Sequence, residues 1–253
     1  MQDTYSSKAK TIAETLSGNR YPGRGILLGV SPDGRKAVTV YFIMGRSENS
    51  RNRVFIEEGR TLKVIPFDET KVQDPSLVIY TARRCEGNML IVTNGDQTDT
   101  IADACFDRTF EEALFTRTFE PDPPIFTPRI SGMTELPGAG AKSAAGSGDA
   151  GERKVSYKLS ILKRSDSDEA ARFFYNYPGV PGVGHLIHTY GCGDDPSVSF
   201  FGEPKKVAIG DDISGFAREV WDALDADNRV SLFAAYTDIE TGEEETVVIN
   251  KNR

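Results

Sequence analysis

The chain has 253 residues, 38% of them apolar and 27% charged, with a formal charge of −8. That is enough apolar material for one large domain or two small ones, and the acidic balance argues against broad binding of nucleic acid or anionic membrane. No apolar run is long enough to span a bilayer, and the start Met1-Gln2-Asp3-Thr4-Tyr5 lacks the basic and apolar regions of a signal peptide, so the expected compartment is the cytoplasm.

Cys85, Cys105 and Cys192 are odd in number and have no paired metal-ligand spacing. They are expected as reduced thiols. His185 and His188 are the only histidines, and no metal site is expected.

Thr4 to Ser17 predicts a short helix with Ile12, Ala13 and Leu16 on one side, stopped by Gly18. Tyr21-Pro22-Gly23-Arg24-Gly25 breaks the chain, and Ile26 to Val30 reads as a strand. Ser31-Pro32-Asp33-Gly34 places proline second and glycine fourth, as a type I turn prefers. Lys36 to Met44 is the returning strand, with Val38, Val40 and Phe42 alternating. At the open end of this hairpin lies Met44-Gly45-Arg46-Ser47-Glu48-Asn49-Ser50-Arg51-Asn52-Arg53, which holds three arginines and almost nothing that packs in a core. It is either a solvated loop or an anion site for a phosphorylated small molecule. The rigid arginine fork suits phosphate, and hydroxyls and amides can complete the cradle.

Val54 to Ile56 and Leu62 to Pro66 read as short strands. Asp74-Pro75 turns the chain into Leu77-Val78-Ile79-Tyr80, a buried strand by its β-branched content, and Met89 to Thr93 is another. Asn94-Gly95-Asp96 interrupts that strand, and Thr98 is placed to cap a helix reaching Phe115, with Asp99 in its first turn. The junction is either a plain capped start or a substrate cradle, in which Asn94 offers donor and acceptor and Gly95 admits a close backbone approach. Thr118 to Arg129 carries four prolines and cannot be helical. On it, Glu120, Asp122 and Arg129 belong either to a stiff connection or to a positioned carboxylate with an orienting arginine.

Ile130 opens a strand, and Pro137 to Gly151 is rich in Gly, Ala and Ser, a flexible insertion near residues 137–152. Gly138-Ala139-Gly140 lacks the lysine and setting of a phosphate loop, and there is no G-x-S-x-G nucleophile motif. Val155 to Lys163 and Ala171 to Tyr177 read as strands, and Pro178 to Gly184 leads into His185-Leu186-Ile187-His188-Thr189-Tyr190. Three residues apart in a strand, the two histidines face opposite ways, against shared metal ligation. One is expected to be structural and the other to touch a ligand. Val207 to Ile209 reads as a strand, and Asp212 caps a helix from Ile213 to Leu224 with Phe216, Val220, Trp221 and Leu224 inward. Arg229 to Tyr236 and Thr246 to Asn250 close the fold through Thr241-Gly242. Many strands and few helices predict an α+β protein, with an N-terminal extension over 1–20 and one domain over 21–253.

Several of these patches recur together and in order elsewhere. Tyr21-Pro22-Gly23-Arg24-Gly25, the cluster from Gly45 to Arg53, Asn94 to Asp103, and Thr127-Pro128-Arg129-Ile130 resemble the archaeal-type IMP cyclohydrolases, over roughly Tyr21 to Gly132. Gly184 to Tyr190 is similar to the Gly-His-x-Ile-His-Thr-Tyr motif of longer bacterial relatives. The resemblance implies a four-layer αββα sandwich like that of the N-terminal nucleophile hydrolases. It does not imply their chemistry, since Met1 and Gln2 offer no nucleophile. The implied reaction closes 5-formamidoimidazole-4-carboxamide ribotide to IMP with loss of water, the last step of purine synthesis, without metal, cofactor or covalent intermediate. Arg46, Arg51 and Arg53, helped by Ser47 and Asn52, would hold phosphate and ribose. Tyr80 and Asn94 would contact the base, Glu120 or Asp122 would move the proton, and Arg129 would orient the carboxamide or formyl oxygen. Gly95, Asp99, Thr127, His185 and His188 complete the expected substrate contacts. The expected partner is thus a purine ribotide, with neither nucleic acid nor membrane, and a homo-oligomer is compatible with this. A non-catalytic purine nucleotide-binding or regulatory protein on the same scaffold is the second reading. An amide hydrolase is the third, and it lacks an apparent nucleophile.

Overall fold

The computed structural model describes residues 8–72, 79–137, 154–191 and 198–252. The hairpin read from the sequence is its starting unit: β1 (Arg24–Val30) and β2 (Lys36–Met44) pair antiparallel around the expected turn, whose Gly34 N–H donates to the Ser31 carbonyl at 2.9 Å. Around them a six-stranded sheet runs in the order β11 (Lys205–Ala208), β10 (Val183–His188), β1, β2, β12 (Arg229–Asp238), β13 (Glu244–Asn250). A seven-stranded sheet follows chain order: β3 (Val54–Glu58), β4 (Thr61–Ile65), β5 (Tyr80–Glu86), β6 (Met89–Thr93), β7 (Arg129–Glu135), β8 (Ser156–Arg164) and β9 (Ala170–Pro178). All pairings between these strands are antiparallel.

Alternation along the strands divides the apolar side chains between cores. Leu27, Val40, Leu186 and Leu232 turn to one face of the first sheet and pack with Ile12 and Leu16 of helix α1 (Ile12–Leu16) and Phe216, Val220 and Trp221 of helix α5 (Ile213–Ala223). Ile26, Leu28, Tyr41 and Ile43 turn the other way and meet Val64, Val92, Ile130 and Leu159 of the second sheet. Gly132 permits that contact, because a Cβ there would lie 2.9 Å from Leu28 Cδ1. Ile91, Met133 and Leu162 face away from the first sheet and pack with helices α3 (Gln97–Ala104) and α4 (Phe110–Leu114). Helix α2 (Glu48–Arg51) is a single turn at the open end of the hairpin. No helix among the described residues is long and apolar enough to cross a membrane.

Four expectations change. The N-terminal helix is shorter than Thr4 to Ser17: Thr11 and Glu14 form a reciprocal capping box that starts it at Ile12, while Lys10 bridges to Val207 of β11. Residues 4–7 lie outside the described residues, as does nearly all of the Gly/Ala/Ser stretch. The helix expected from Thr98 to Phe115 is two helices. A second capping box, Thr109 with Glu112, restarts the chain after α3. Thr98 is not the cap but sits buried inside α3, its hydroxyl 2.7 Å from that of Thr93. The cluster from Met44 to Arg53 is not wholly solvated, since Asn52 and Arg53 are buried. Finally, of the strand expected over Leu77 to Tyr80, Leu77 and Val78 lie outside the described residues, Ile79 is exposed and outside the strand, and β5 runs from Tyr80 through Arg83, Arg84 and Glu86.

That charged strand is tolerated because Arg83 is paired. Its guanidinium, 1% exposed, forms an ion pair with Glu244 of β13 and donates to the Arg60 carbonyl at 3.1 Å, while Thr237 donates to Glu244 at 2.8 Å. Removing one partner of a buried ion pair strands the other charge, at a cost of about 3–5 kcal/mol, whereas replacing both with apolar groups is often close to neutral. Glu244→Ala is therefore expected to lose about 3–5 kcal/mol of unfolding free energy in urea titrations. Arg83→Met combined with Glu244→Leu should recover most of it, and an equal loss in the double variant would show that the pair's worth lies elsewhere.

Candidate active site

The open end of the β1–β2 hairpin, the α2 turn and the Pro-rich run from Thr118 to Arg129 surround a cavity of about 260 Å³. Local sequence explains the wall. Gly23 has φ +78°, and a Cβ there would sit 2.3 Å from Thr189 Oγ1 and 2.5 Å from the Tyr190 ring, so only glycine lets this segment lie against the end of β10. Thr189 then accepts from the Arg24 N–H at 3.1 Å, and the Arg24 side chain lines the cavity. Ser47 and Ser50 cap each other across α2, which brings Arg46 and Ser47 to the rim and Arg53 to the wall.

At the base, Arg24 Nη1 and Glu120 Oε2 are 3.2 Å apart, the carboxylate buried and the arginine side chain 12% exposed. Asn94 donates to the other Glu120 oxygen at 3.4 Å and to the Pro128 carbonyl at 2.9 Å, and it accepts from the Ile130 N–H at 2.8 Å. It therefore fixes the run that carries Glu120. Burial raises the Glu120 pKa above the usual carboxylate value, although Arg24 and Arg129 pull against it. Arg53 has no carboxylate partner among the described residues. It donates to the carbonyls of Ser50 at 2.9 Å and Met44 at 3.2 Å, and burial and then Arg24 lower its pKa. Tyr41 and Tyr80 share a hydroxyl contact of 2.7 Å beside these arginines, and burial raises the pKa of both.

The opposite wall is Asp122, Thr127 and Tyr190. Asp122 accepts from the Thr127 N–H at 2.7 Å and hydroxyl at 2.5 Å, and the Thr127 hydroxyl lies 2.9 Å from that of Tyr190. Tyr190 stacks on Tyr21 with ring centroids 5.8 Å apart, and Arg46 lies 4.0 Å over the other ring of that pair, Tyr21. Exposed and without an ion pair among the described residues, the Arg46 guanidinium keeps its donors free at the rim.

The expected site residues thus fall into three groups. Arg46, Ser47, Arg53, Asp122 and Thr127 line the cavity, while Glu120, Tyr80 and Asn94 stand directly behind it. Arg129 lies beside them with its Nη1 on Asp96 at 2.6 Å and Gln97 at 2.7 Å, packed against Gly95, where a Cβ would meet it at 2.6 Å. The rest point elsewhere. Arg51 donates to Gly45 and Asn228, Asn52 clamps the backbone of Asp68, and Asp99 pairs with Arg84 on the surface. His185 stacks on Tyr177 and meets the Tyr157 hydroxyl at 2.7 Å. His188 is fully buried beside Phe200 and donates from Nδ1 to the Tyr190 carbonyl at 2.6 Å. Sequence reasoning gave no role to Tyr21, Arg24 and Tyr190, although all three lie within motifs it singled out. Glycines flanking an arginine at a strand start were the available signal.

The model of the IMP cyclohydrolase-like protein family matches residues 21–243. The chain belongs to the IMP cyclohydrolase-like family. It is 37% identical over 119 residues to the IMP cyclohydrolase of Methanopyrus kandleri, a stretch covering 46% of this chain and 59% of that protein. It is 31% identical over 83 residues to the IMP cyclohydrolase of Methanococcus aeolicus, covering 33% and 40% respectively. The aligned stretch therefore spans less than two thirds of the length of these relatives. In this family member the residues that line the cavity all lie within the matched range.

His188 gives a prediction on stability. Burial lowers its pKa from 6.5 to about 3. Its folded value is depressed, so the unfolded chain takes the proton first, and stability falls as pH drops from about 6.5 toward 3, by up to about 1.4 kcal/mol per pH unit from this group. His188→Asn keeps a donor for the Tyr190 carbonyl but removes the titration. Urea unfolding across that range should show the variant losing about that slope, and identical slopes would mean that His188 is protonated in the folded protein.

Proposed function

We propose that this chain is an IMP cyclohydrolase, closing 5-formamidoimidazole-4-carboxamide ribotide to IMP with loss of water. The observation that carries the reading is a cavity with free cationic donors at its rim and a buried arginine–carboxylate cluster at its base, in a member of this family. The order of packing, helices on sheet on sheet on helices, supports an αββα sandwich of the N-terminal nucleophile hydrolase type. The cytoplasm is the compartment consistent with this role.

Substrate nucleophile and electrophile are on one molecule, so the main task is to hold a reactive conformer. The phosphate lies at the rim on Arg46, which Tyr21 presents as a flat platform, with the Ser47 hydroxyl beside it. The base end lies toward Arg24 and Arg53. As the carboxamide nitrogen bonds to the formyl carbon, negative charge gathers on the formyl oxygen. Arg53, a buried cation without a carboxylate partner among the described residues, is suited to stabilise it. The carboxamide nitrogen gives up a proton and the formyl oxygen gains one. A second proton, lost by the formamido nitrogen, then reaches that hydroxyl as the C–O bond breaks, which releases water and leaves the C=N bond of the new ring. Glu120 is the proton carrier. Its raised pKa and its long contacts, 3.2 and 3.4 Å, leave it freer than Asp122, whose two oxygens are held by Thr127. Asp122 positions Thr127 and Tyr190.

Binding and kinetics test these roles separately. Calorimetry should show IMP binding in the presence of chelator, and Arg46→Ala should weaken the ribotide far more than the free nucleoside, because arginine–phosphate bonds are charge-assisted. Equal losses would remove Arg46 from the phosphate. Glu120→Gln should lower kcat by about 10²–10⁴-fold while IMP affinity stays within a few-fold, whereas Asp122→Asn should act mainly on KM. A collapse of kcat in Asp122→Asn with near-normal Glu120→Gln would transfer the proton role to Asp122. Near-normal kcat in both would move it to Tyr80 or Tyr190.

A further inference from the structure

A sheet edge presents unpaired N–H and C=O groups that another strand can take up, and folded chains usually cover or blunt such edges. Three of the four edges here are closed by the chain itself. Along β11, the Lys10 N–H donates to the Lys206 carbonyl at 3.4 Å and the Ala208 N–H to the Lys10 carbonyl at 2.8 Å. Edges β13 and β3 are tied to each other. The Asn250 amide accepts from the Phe55 N–H at 2.8 Å and donates to its carbonyl at 3.0 Å, and Thr246 donates to Glu57 at 2.9 Å.

Among the described residues the fourth edge, β9, is open. It pairs with β8 along its nine residues, and no other strand of the described residues pairs with its far side. None of its residues is buried, and the usual protections are sparse, with one charge, Arg172, no lysine, and proline only at the last position. Exposed aromatic rings flank it on both faces. Phe115, 60% exposed, packs on Phe174 with ring centroids 5.9 Å apart. Phe173 is 41% exposed and Phe201 73% exposed, the latter next to Gly202, whose carbonyl accepts from Tyr175.

We propose that β9 is the subunit interface of a homodimer, in which two copies pair antiparallel about a twofold axis at Phe174 and join their seven-stranded sheets into one. An isologous contact of this kind needs a self-complementary strand, and Ala170–Pro178 is one. The register sets Arg172 of one copy opposite Asn176 of the other, and Phe173 opposite Tyr175. No like charges meet, although each chain carries −8 overall, and opposed aromatic residues favour cross-strand pairing.

Sedimentation velocity and hydrogen exchange on the full chain test this. The expected species has twice the 27.7 kDa mass of the chain, and backbone amides of residues 170–178 exchange more slowly in concentrated than in dilute protein. The double variant Phe173→Lys with Tyr175→Lys puts lysine opposite lysine and should sediment as a monomer with an unchanged circular dichroism spectrum. Phe201→Ser, outside the strand, should raise the dissociation constant. A monomeric wild-type protein at every concentration, including the case in which β9 awaits a strand of some other protein, would overturn the proposal. So would a dimer that survives the double variant, or β9 amides that exchange alike in dilute and concentrated samples.

Discussion

Two guanidiniums, the largely enclosed Arg24 and the buried Arg53, face one buried carboxylate at the base of the cavity, and the site is organised by that imbalance. Arg24 is satisfied by Glu120, and Arg53 is left with backbone carbonyls. An unmatched charge away from water is costly unless something compensates it, so the cavity is prepared for an electron-rich group before any ligand arrives. The groups that meet there come from both sheets: Arg24 and Tyr41 from the first, Tyr80 and Arg53 from or beside the second, and Glu120 from the run leading to β7. The inter-sheet core of Ile26, Leu28, Val92 and Ile130 therefore sets the distances within the charged cluster as well as the stability of the fold.

The sequence was most legible where local rules act alone. Alternation and turn residues located the β1–β2 hairpin, and Asp212 marks the start of α5 through its bond to the Gly215 N–H at 2.8 Å. Legibility failed where a distant partner decides. Strand β5 carries charges beyond Tyr80, where no element was expected, and Glu244, 161 residues away from Arg83, neutralises one of them. Arg51 and Arg53 look alike in sequence, yet the helical turn of α2 separates them. The first reaches Asn228 and the second turns into the cavity wall. Tyr190 stood in a quoted motif, but its stacking on Tyr21 spans most of the chain and leaves no local trace. Capping boxes at Thr11 and Thr109 were readable signals, and counting them would have shortened the first helix and split the second.

Family membership and site geometry support each other without being the same kind of argument. The family match covers residues 21–243, and the cavity-lining residues lie inside it. The β9 edge, open among the described residues, also lies inside it, whereas Lys10, which bridges to β11, lies outside. Thus the proposed chemistry rests on an internal charged cluster, and the proposed dimer on an edge at the far end of the second sheet.

The most direct measurement is an absorbance assay of the purified protein with 5-formamidoimidazole-4-carboxamide ribotide in the presence of chelator. Catalytic cyclisation, seen as growth of the IMP spectrum over many turnovers per protein molecule, is the predicted result. Folded protein that binds IMP but leaves the formylated ribotide to cyclise at its uncatalysed rate would contradict it, and the same cavity would then belong to a purine nucleotide-binding protein without turnover.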